Sequence, residues 1–255
     1  MAPIGPHSDP KFLALVDGIF TNTTRTIYVF IQKRIDYMTH KEQLAAIKAF
    51  SFKKMSNDAT GHNFDHIQRV IKTAQRILKD EPADATITLA AAYLHDVADD
   101  KLVSDPATLE QEIRDFLQNI DFTEEQINEI LYITHNLSFS KSLSANPPKL
   151  SLAGQIVQDA DRLDAIGAIG ITRAIYYGGA NSETIYDPNI QPRKSMNKAE
   201  YRNLDNETII NHFYEKLLKL TAMMNTPTAK KIAEQRHQYM LDFLDEFKAE
   251  WDAKK

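Results

Sequence analysis

The chain has 255 residues, a length that allows one large domain or two small ones. Its formal net charge of −5 gives no support for a generic nucleic-acid binder. It contains no cysteine, so disulfides, thiolate metal ligands and a cysteine nucleophile are excluded. Only 8 glycines and 10 prolines occur, which disfavours a turn-rich β fold.

Apolar residues recur at three- and four-residue spacing along most of the chain, which predicts α-helices. In chain order, the predicted helices cover residues 9–20, 26–54, 61–78, 84–98, 106–119, 124–137, 150–177, 204–224 and 228–251. The segment 84–98 is apolar on nearly all sides, as expected of a buried helix. TEEQ from Thr123 matches a capping box, and a break is expected around Gly167 to Gly170.

The stretch 178–203 has no sustained period, and loops of this length are functional lids or disordered segments, two alternatives that stay open. We expect an all-α protein with a single domain over 1–255, a core at about 61–177 and a C-terminal helical layer at about 204–251. No signal-peptide pattern occurs and no apolar stretch is long enough to cross a membrane, so a cytoplasmic location is expected.

The adjacent pair His95–Asp96 lies inside the apolar run AAYLHDVA. Burying a carboxylate beside an imidazole is unfavourable unless a partner compensates it, and a metal ion is one such partner. For this dipeptide alone, a hydrogen-bonded core histidine is the commoner arrangement.

Two other segments place polar residues on apolar helical faces. His66 shares a stripe with apolar residues of its helix, so it should point into the core. Asp161 and Asp164 share a stripe with apolar residues in QDADRLDA, which indicates a cation close by. The alternative for these two acids is an exposed patch paired with Arg162.

Together these segments resemble the HD-domain phosphohydrolase family, whose pattern is a His on one helix, a His-Asp dipeptide on the next and a distant Asp on a later helix. The resemblance implies that His66, His95, Asp96 and Asp161 bind one metal ion. HDVADD and ADRL resemble the (p)ppGpp hydrolase branch, whereas the chain length and NHFYEKLLKL resemble the stand-alone bacterial HD hydrolases. The resemblance covers most of the chain from Gly61 on and implies an HD-domain helical bundle with additional C-terminal helices.

Two imidazoles and two carboxylates suit Mn²⁺, Fe²⁺, Co²⁺, Ni²⁺ or Zn²⁺ better than Mg²⁺, and we favour Mn²⁺. Asp99 and Asp100 follow the His-Asp pair by one helical turn, so at least one can act on the attacking water as general base. The resemblance assigns the same work to them, and a solvated helix end is the alternative. Three residues are candidate substrate contacts, with surface charge or a core histidine as the alternatives: Lys101, His135 and Arg162.

The function expected is metal-dependent hydrolysis of a phosphorylated small molecule, and we favour pyrophosphohydrolysis of a nucleoside triphosphate. Removal of phosphate from a nucleoside monophosphate and (p)ppGpp-type hydrolysis are alternatives in the same class. A non-catalytic helical module that binds a metal or a nucleotide is the alternative from another class, and the presence of Asp99 and Asp100 argues against it. We expect no membrane or nucleic-acid partner, and the oligomeric state is left open.

Overall fold

The structure is a computed structural model and describes residues 37–55, 64–97, 106–142, 144, 146–193 and 208–255. The chain divides into two compact units, residues 1–39 and 40–255. Residues 37–39 of the first unit have no regular secondary structure, and every helix given below belongs to the second unit. The single domain expected over 1–255 stays a prediction.

Within these described residues, the second unit contains ten α-helices and one 3₁₀ helix and has no β-strand beyond an isolated parallel bridge of Thr184 with Thr208. The helices are α1 (His40–Met55), α2 (Phe64–Ile77), α3 (Ala85–Leu94), α4 (Pro106–Asn119), α5 (Glu124–Asn136), α6 (Phe139–Ser142), α7 (Leu152–Asp164), α8 (Gly167–Ala180), α9 (Ile209–Glu215), the 3₁₀ helix (Leu217–Met223) and α10 (Pro227–Trp251). The prediction of an all-α protein with additional C-terminal helices is confirmed.

Helix starts follow local capping chemistry. Asp84 accepts a hydrogen bond from the Ile87 amide at 2.9 Å and begins α3. Thr123 and Gln126 exchange side-chain and backbone hydrogen bonds, so the predicted capping box at the start of α5 is confirmed. At α10, the hydroxyl of Thr226 caps the first turn ahead of Pro227.

Several predicted boundaries differ from the structure. In the segment predicted at 26–54, residues 37–39 are not helical and α1 begins at His40, while residues 26–36 lie outside the described residues. The helix predicted at 9–20 also lies outside them. Helix α3 ends at Leu94 rather than at 98, because the chain tightens there and the Val97 amide bonds to the Leu94 carbonyl. The segment 204–224 is divided, since α9 ends at Glu215 and a 3₁₀ helix follows it.

The core of the second unit is a group of three helices, α2, α3 and α7, each of which packs against the other two. Helix α3 is buried on most of its surface, as predicted, and it also contacts α1 and α5. Isoleucine, valine and alanine side chains fill the space between these helices, among them Ile67, Val70, Ala91 and Ile156. The packing brings the first turn of α2, the end of α3 and the last turns of α7 to one place.

The C-terminal layer consists of α9, the 3₁₀ helix and α10, and α10 packs against α7 and α8. A fully buried carboxylate, Asp159 on α7, joins this layer to the core: it accepts hydrogen bonds from the amides of Asn225 and Thr226, both at 2.8 Å, and from the Thr226 hydroxyl. Arg236 on α10 donates to the carbonyl of Leu163. The helix that carries Asp161 is therefore held by the layer behind it.

None of the helices in the described ranges combines the length and the apolar character needed to cross a lipid bilayer. The cytoplasmic location expected from the sequence stays a prediction.

Candidate metal centre

Four polar side chains predicted from the sequence meet where α2, α3 and α7 converge. The Nε2 atoms of His66 and His95 lie 3.2 Å apart. Carboxylate oxygens of Asp96 lie 3.4 Å from His66 Nε2 and 3.3 Å from His95 Nε2. Asp161 Oδ1 lies 3.4 Å and 3.9 Å from the same two nitrogens. Both histidines and Asp96 are buried, whereas Asp161 is partly exposed, so the group opens toward solvent at Asp161.

The other nitrogen of each ring is already used. Nδ1 of His95 lies 2.9 Å from the carbonyl oxygen of Ala92, which only accepts, so this nitrogen carries a hydrogen. Nδ1 of His66 lies 2.7 Å from a carboxylate oxygen of Asp164, and it must donate for the same reason. These partners assign the ring hydrogens. Unless a cation binds at Nε2, each ring then presents a lone pair there to the other ring and to two carboxylates.

Such a set of converging acceptors is stable only around a cation, either a proton or a metal ion. Ligand atoms bonded to a transition-metal ion at about 2.0–2.2 Å lie about 3–3.5 Å from one another, which is close to the separations in this group. His66, His95 and Asp96 offer ligand atoms that all lie within 4.8 Å of one another. The donor set therefore fits one divalent ion.

The charges around His66 change its protonation. Burial alone would lower the pKa of this imidazole, but hydrogen bonds to Asp161 and Asp164 and the charge of Asp96 outweigh burial and raise the pKa to about 9. Burial likewise works against ionisation of Asp161, but its hydrogen bond to His66 and the charge of His95 hold the pKa of Asp161 below its usual range. The site therefore favours a cation at Nε2.

A third carboxylate supports the group from behind. Asp164 is buried, and besides His66 it bonds Arg69, whose Nε donates to Oδ1 at 2.7 Å and whose Nη2 donates to Oδ2 at 3.0 Å. Arg173 on α8 donates from Nη1 to Oδ2 at 2.8 Å. Burial opposes ionisation of Asp164, but these donors hold the pKa of Asp164 well below its usual range.

Comparison with known proteins identifies the family. An HD domain model matches residues 63–166, which contain all four residues of the group. The protein YpgQ of Bacillus subtilis is 34% identical over 207 residues, which are 81% of this chain and 93% of YpgQ. This chain belongs to the HD superfamily.

Solved structures agree with this membership of the HD superfamily. A Lactobacillus plantarum protein of 51% identity superposes with a TM-score of 0.73, covering 83% of this chain and 97% of that protein. An HD-superfamily hydrolase from Bacillus thuringiensis has 40% identity and a TM-score of 0.68, covering 84% of this chain and 100% of its own. YpgQ has been solved in complex with ADP, with 32% identity, a TM-score of 0.65 and coverage of 84% and 97%.

The other residues predicted for the HD site lie elsewhere or outside the described residues. Asp99, Asp100 and Lys101 lie outside the described residues. The prediction that Asp99 and Asp100 face the attacking water assumed that the helix continues past Asp96. Because α3 ends at Leu94, helical spacing does not support that prediction. The ring of His135 on α5 lies 3.7 Å from a carboxylate oxygen of Glu110 on α4.

Arg162 is buried on α7, and its guanidinium donates to the Met223 carbonyl and to the Ser142 hydroxyl. The sequence left two alternatives for Arg162, a surface charge and a partner of an exposed acidic patch, and the buried side chain matches neither. Its predicted contact with substrate stays a prediction, and this geometry does not favour it.

Sequence reasoning missed two members of the site, Arg69 and Arg173. Arg69 lies one helical turn after Asp65, a spacing typical of an exposed ion pair on a helix. Arg173 follows the glycine-rich start of α8 and belongs to no motif. A signal was present in Asp164, which shares a helical face with Asp161 and is buried without being one of the four family positions. A buried second acid calls for positive partners, although sequence alone does not say which arginines supply them.

Proposed function

We propose that this protein is a metal-dependent hydrolase of nucleotides that splits a nucleoside triphosphate into monophosphate and pyrophosphate. The observation that carries the proposal is the convergence of four acceptor groups from α2, the turn after α3 and α7, with both Nδ1 atoms already bonded elsewhere. In this proposal His66, His95, Asp96 and Asp161 are the ligands, and Mn²⁺ is the favoured ion among Mn²⁺, Fe²⁺, Co²⁺, Ni²⁺ and Zn²⁺.

These four residues would hold the ion, which when bound would supply Lewis-acid activation of a water and of a phosphoryl oxygen. The residues of this chain supply the rest. The two buried imidazoles provide neutral nitrogens, the two aspartates balance the ionic charge, and partly exposed Asp161 lies on the side open to substrate. We further propose that Asp99 or Asp100 accepts the proton of the attacking water.

The choice of a nucleotide is supported by YpgQ, whose structure holds ADP. A nucleoside diphosphate contains a phosphoanhydride, the bond class on which the proposed reaction acts. Contacts from Lys101 and His135 to such a substrate stay predictions.

The test uses metal-stripped protein, reloaded with Mn²⁺ and incubated with nucleoside triphosphates, nucleoside monophosphates and (p)ppGpp in ¹⁸O-labelled water. We expect monophosphate and pyrophosphate from the triphosphate, with one ¹⁸O in one of these products and no turnover in excess chelator. Release of phosphate from monophosphates alone would instead identify a phosphatase. Metal and nucleotide binding without turnover of any of these compounds would mean a non-catalytic module.

The same assay tests the proton acceptor. Asp99→Asn and Asp100→Asn should retain metal, and at least one should lose on the order of a hundredfold in turnover, because the attacking water would lack its base. Asp242→Asn, an exposed acid on α10, is the control and should be fully active. Full activity in both Asp99→Asn and Asp100→Asn would place the base elsewhere.

A further inference from the structure

Asp164 differs from the four proposed ligands in where its oxygens point. It lies on α7, three residues after Asp161, and its side chain is only 4% exposed. Its Oδ2 lies 2.7 Å from Nδ1 of His66, on the side of the ring away from His95. This carboxylate therefore contacts the back of a proposed ligand.

Two arginines fix the carboxylate in that orientation. Arg69, on the same helix as His66, donates to both oxygens, which holds the plane of the carboxylate as well as its position. Arg173 reaches Oδ2 from α8, and this contact at 2.8 Å is shorter than the 3.2 Å that separates the same Nη1 from His66 Nδ1. We therefore assign the arginine hydrogen to the carboxylate and the Nδ1 hydrogen to the imidazole.

We propose that Asp164, clamped by Arg69 and Arg173, is the positioning residue that holds His66 with Nδ1 protonated and the Nε2 lone pair directed at the metal ion. The inference rests on the proposed function, since it requires that His66 bind a metal. Its physical basis is that a carboxylate behind a ligating imidazole selects the tautomer, fixes the ring angle and increases the basicity of the metal-bound nitrogen.

The arginines have a separate part in this arrangement. Asp164 is buried three residues after Asp161, so a metal ion at the site could draw its carboxylate away from His66. Arg69 engages both oxygens, and Arg173 adds a second donor at Oδ2, so the carboxylate is retained behind His66. The alternative is a purely structural ion pair that joins α2, α7 and α8.

A positioning role and a purely structural role for Asp164 predict different metal affinities after substitution. Asp164→Asn, measured by competition with a chromophoric chelator, should bind Mn²⁺ or Zn²⁺ about 10- to 100-fold more weakly than the unmodified chain. Glu215→Gln is the matched control, because Glu215 is also a buried carboxylate that bonds an arginine, Arg193, but in the C-terminal layer. The control should leave the metal affinity unchanged.

A spectroscopic readout separates positioning from general destabilisation. In the Zn²⁺-loaded protein, long-range ¹H–¹⁵N correlations should show His66 with a protonated Nδ1 and a metal-bound Nε2. Asp164→Asn should shift or broaden the Nδ1 signal of His66 and leave the ring signals of His135 in place. Arg173→Met, whose side chain is partly exposed, tests the clamp if Asp164→Asn does not fold, and it should weaken metal binding several-fold.

The outcomes are distinguishable. Unchanged metal affinity in Asp164→Asn, or in Arg173→Met where that variant is needed, would overturn the inference and leave the proposed function intact. An equal loss in Glu215→Gln would also overturn it, because the effect would then be unspecific. Absence of metal binding by the unmodified chain would overturn both proposals.

Discussion

The imidazole of His66 lies among three carboxylates. Its side chain is 1% exposed and is surrounded by the carboxylates of Asp96, Asp161 and Asp164. Because these groups raise its pKa to about 9, the imidazole of the metal-free protein is protonated at neutral pH. A proton and a divalent ion therefore compete for the same nitrogen.

This competition predicts a pH-dependent metal affinity. Below pH 9, binding of a metal ion must displace one proton from His66, so the apparent dissociation constant should fall about tenfold for each unit of pH increase between 6.5 and 8.5. The measurement is chelator competition across this range, with proton release followed in weakly buffered solution. A dissociation constant independent of pH, with no proton released at pH 7, would contradict a protonated His66.

At this scale, the sequence predicted the residues that are unusual in their own helix. His66, His95 and Asp161 are polar on apolar faces, and this anomaly is visible without a structure. Arg69 and Arg173 are not anomalous in their own helices, and they meet Asp164 only because α2 and α8 pack beside the end of α7. That proximity depends on packing angles between helices, which a periodic pattern does not specify.

Helix α7 contains three aspartates that have separate structural roles. Asp159 joins it to the C-terminal layer, Asp161 faces the proposed metal, and Asp164 binds the two arginines. The three acids lie within six residues. Asp161 and Asp164 share a helical face and contact opposite nitrogens of His66, whereas Asp159 points to the C-terminal layer. The position of Asp161 therefore depends on packing on several sides of α7.

Removing the Asp159 anchor should destabilise the protein. Asp159→Ala leaves the amide of Asn225, the buried amide of Thr226 and the Thr226 hydroxyl without their acceptor, and we expect a loss of roughly 3 kcal/mol in the free energy of unfolding. Urea denaturation measures the change. Asp242→Ala, an exposed acid that accepts one bond from Gln238, should change stability by less than about 0.5 kcal/mol. Equal effects of the two substitutions would show that Asp159 is not an anchor.

The sequence predicted a break around Gly167 to Gly170, and the structure places it just before Gly167. The structure breaks the helix at 165–166, and Gly167 has a φ of +73°, a conformation that favours glycine. A Cβ at this position would also lie 2.9 Å from Cγ of Arg236. The end of α3 was missed because no glycine or proline follows Leu94, and the helix stops where His95 turns its ring toward the Ala92 carbonyl.

For the whole molecule, the proposed metal would connect segments that are distant in sequence. Its ligands come from α2, from the turn after α3 and from α7, which are the three helices of the core. An ion that binds only the folded arrangement stabilises that arrangement by mass action. The sequence predicted the helical class and the C-terminal layer. It did not predict the hydrogen bonds between this layer and Asp159 on α7, since that contact joins residues 66 positions apart.

Metal binding should therefore raise the melting temperature. At a free Mn²⁺ concentration 100 times the dissociation constant, the gain is about 2.7 kcal/mol, which corresponds to roughly 5–10 °C for a chain of this size. Thermal scans with and without chelator measure this shift. His95→Ala removes one ligand and should largely abolish the rise, whereas an equal rise in this variant would mean that the ion stabilises the protein from another site.

The arginine clamp has a consequence for the order in which ligands arrive. Three carboxylates, those of Asp96, Asp161 and Asp164, lie around His66. At neutral pH they are balanced by Arg69, Arg173 and protonated His66, so the metal-free group has no net charge with which to attract a polyphosphate. A divalent ion that replaces the proton of His66 leaves one net positive charge, and the group then attracts that anion. The expected order of binding is therefore the ion first and the nucleotide second.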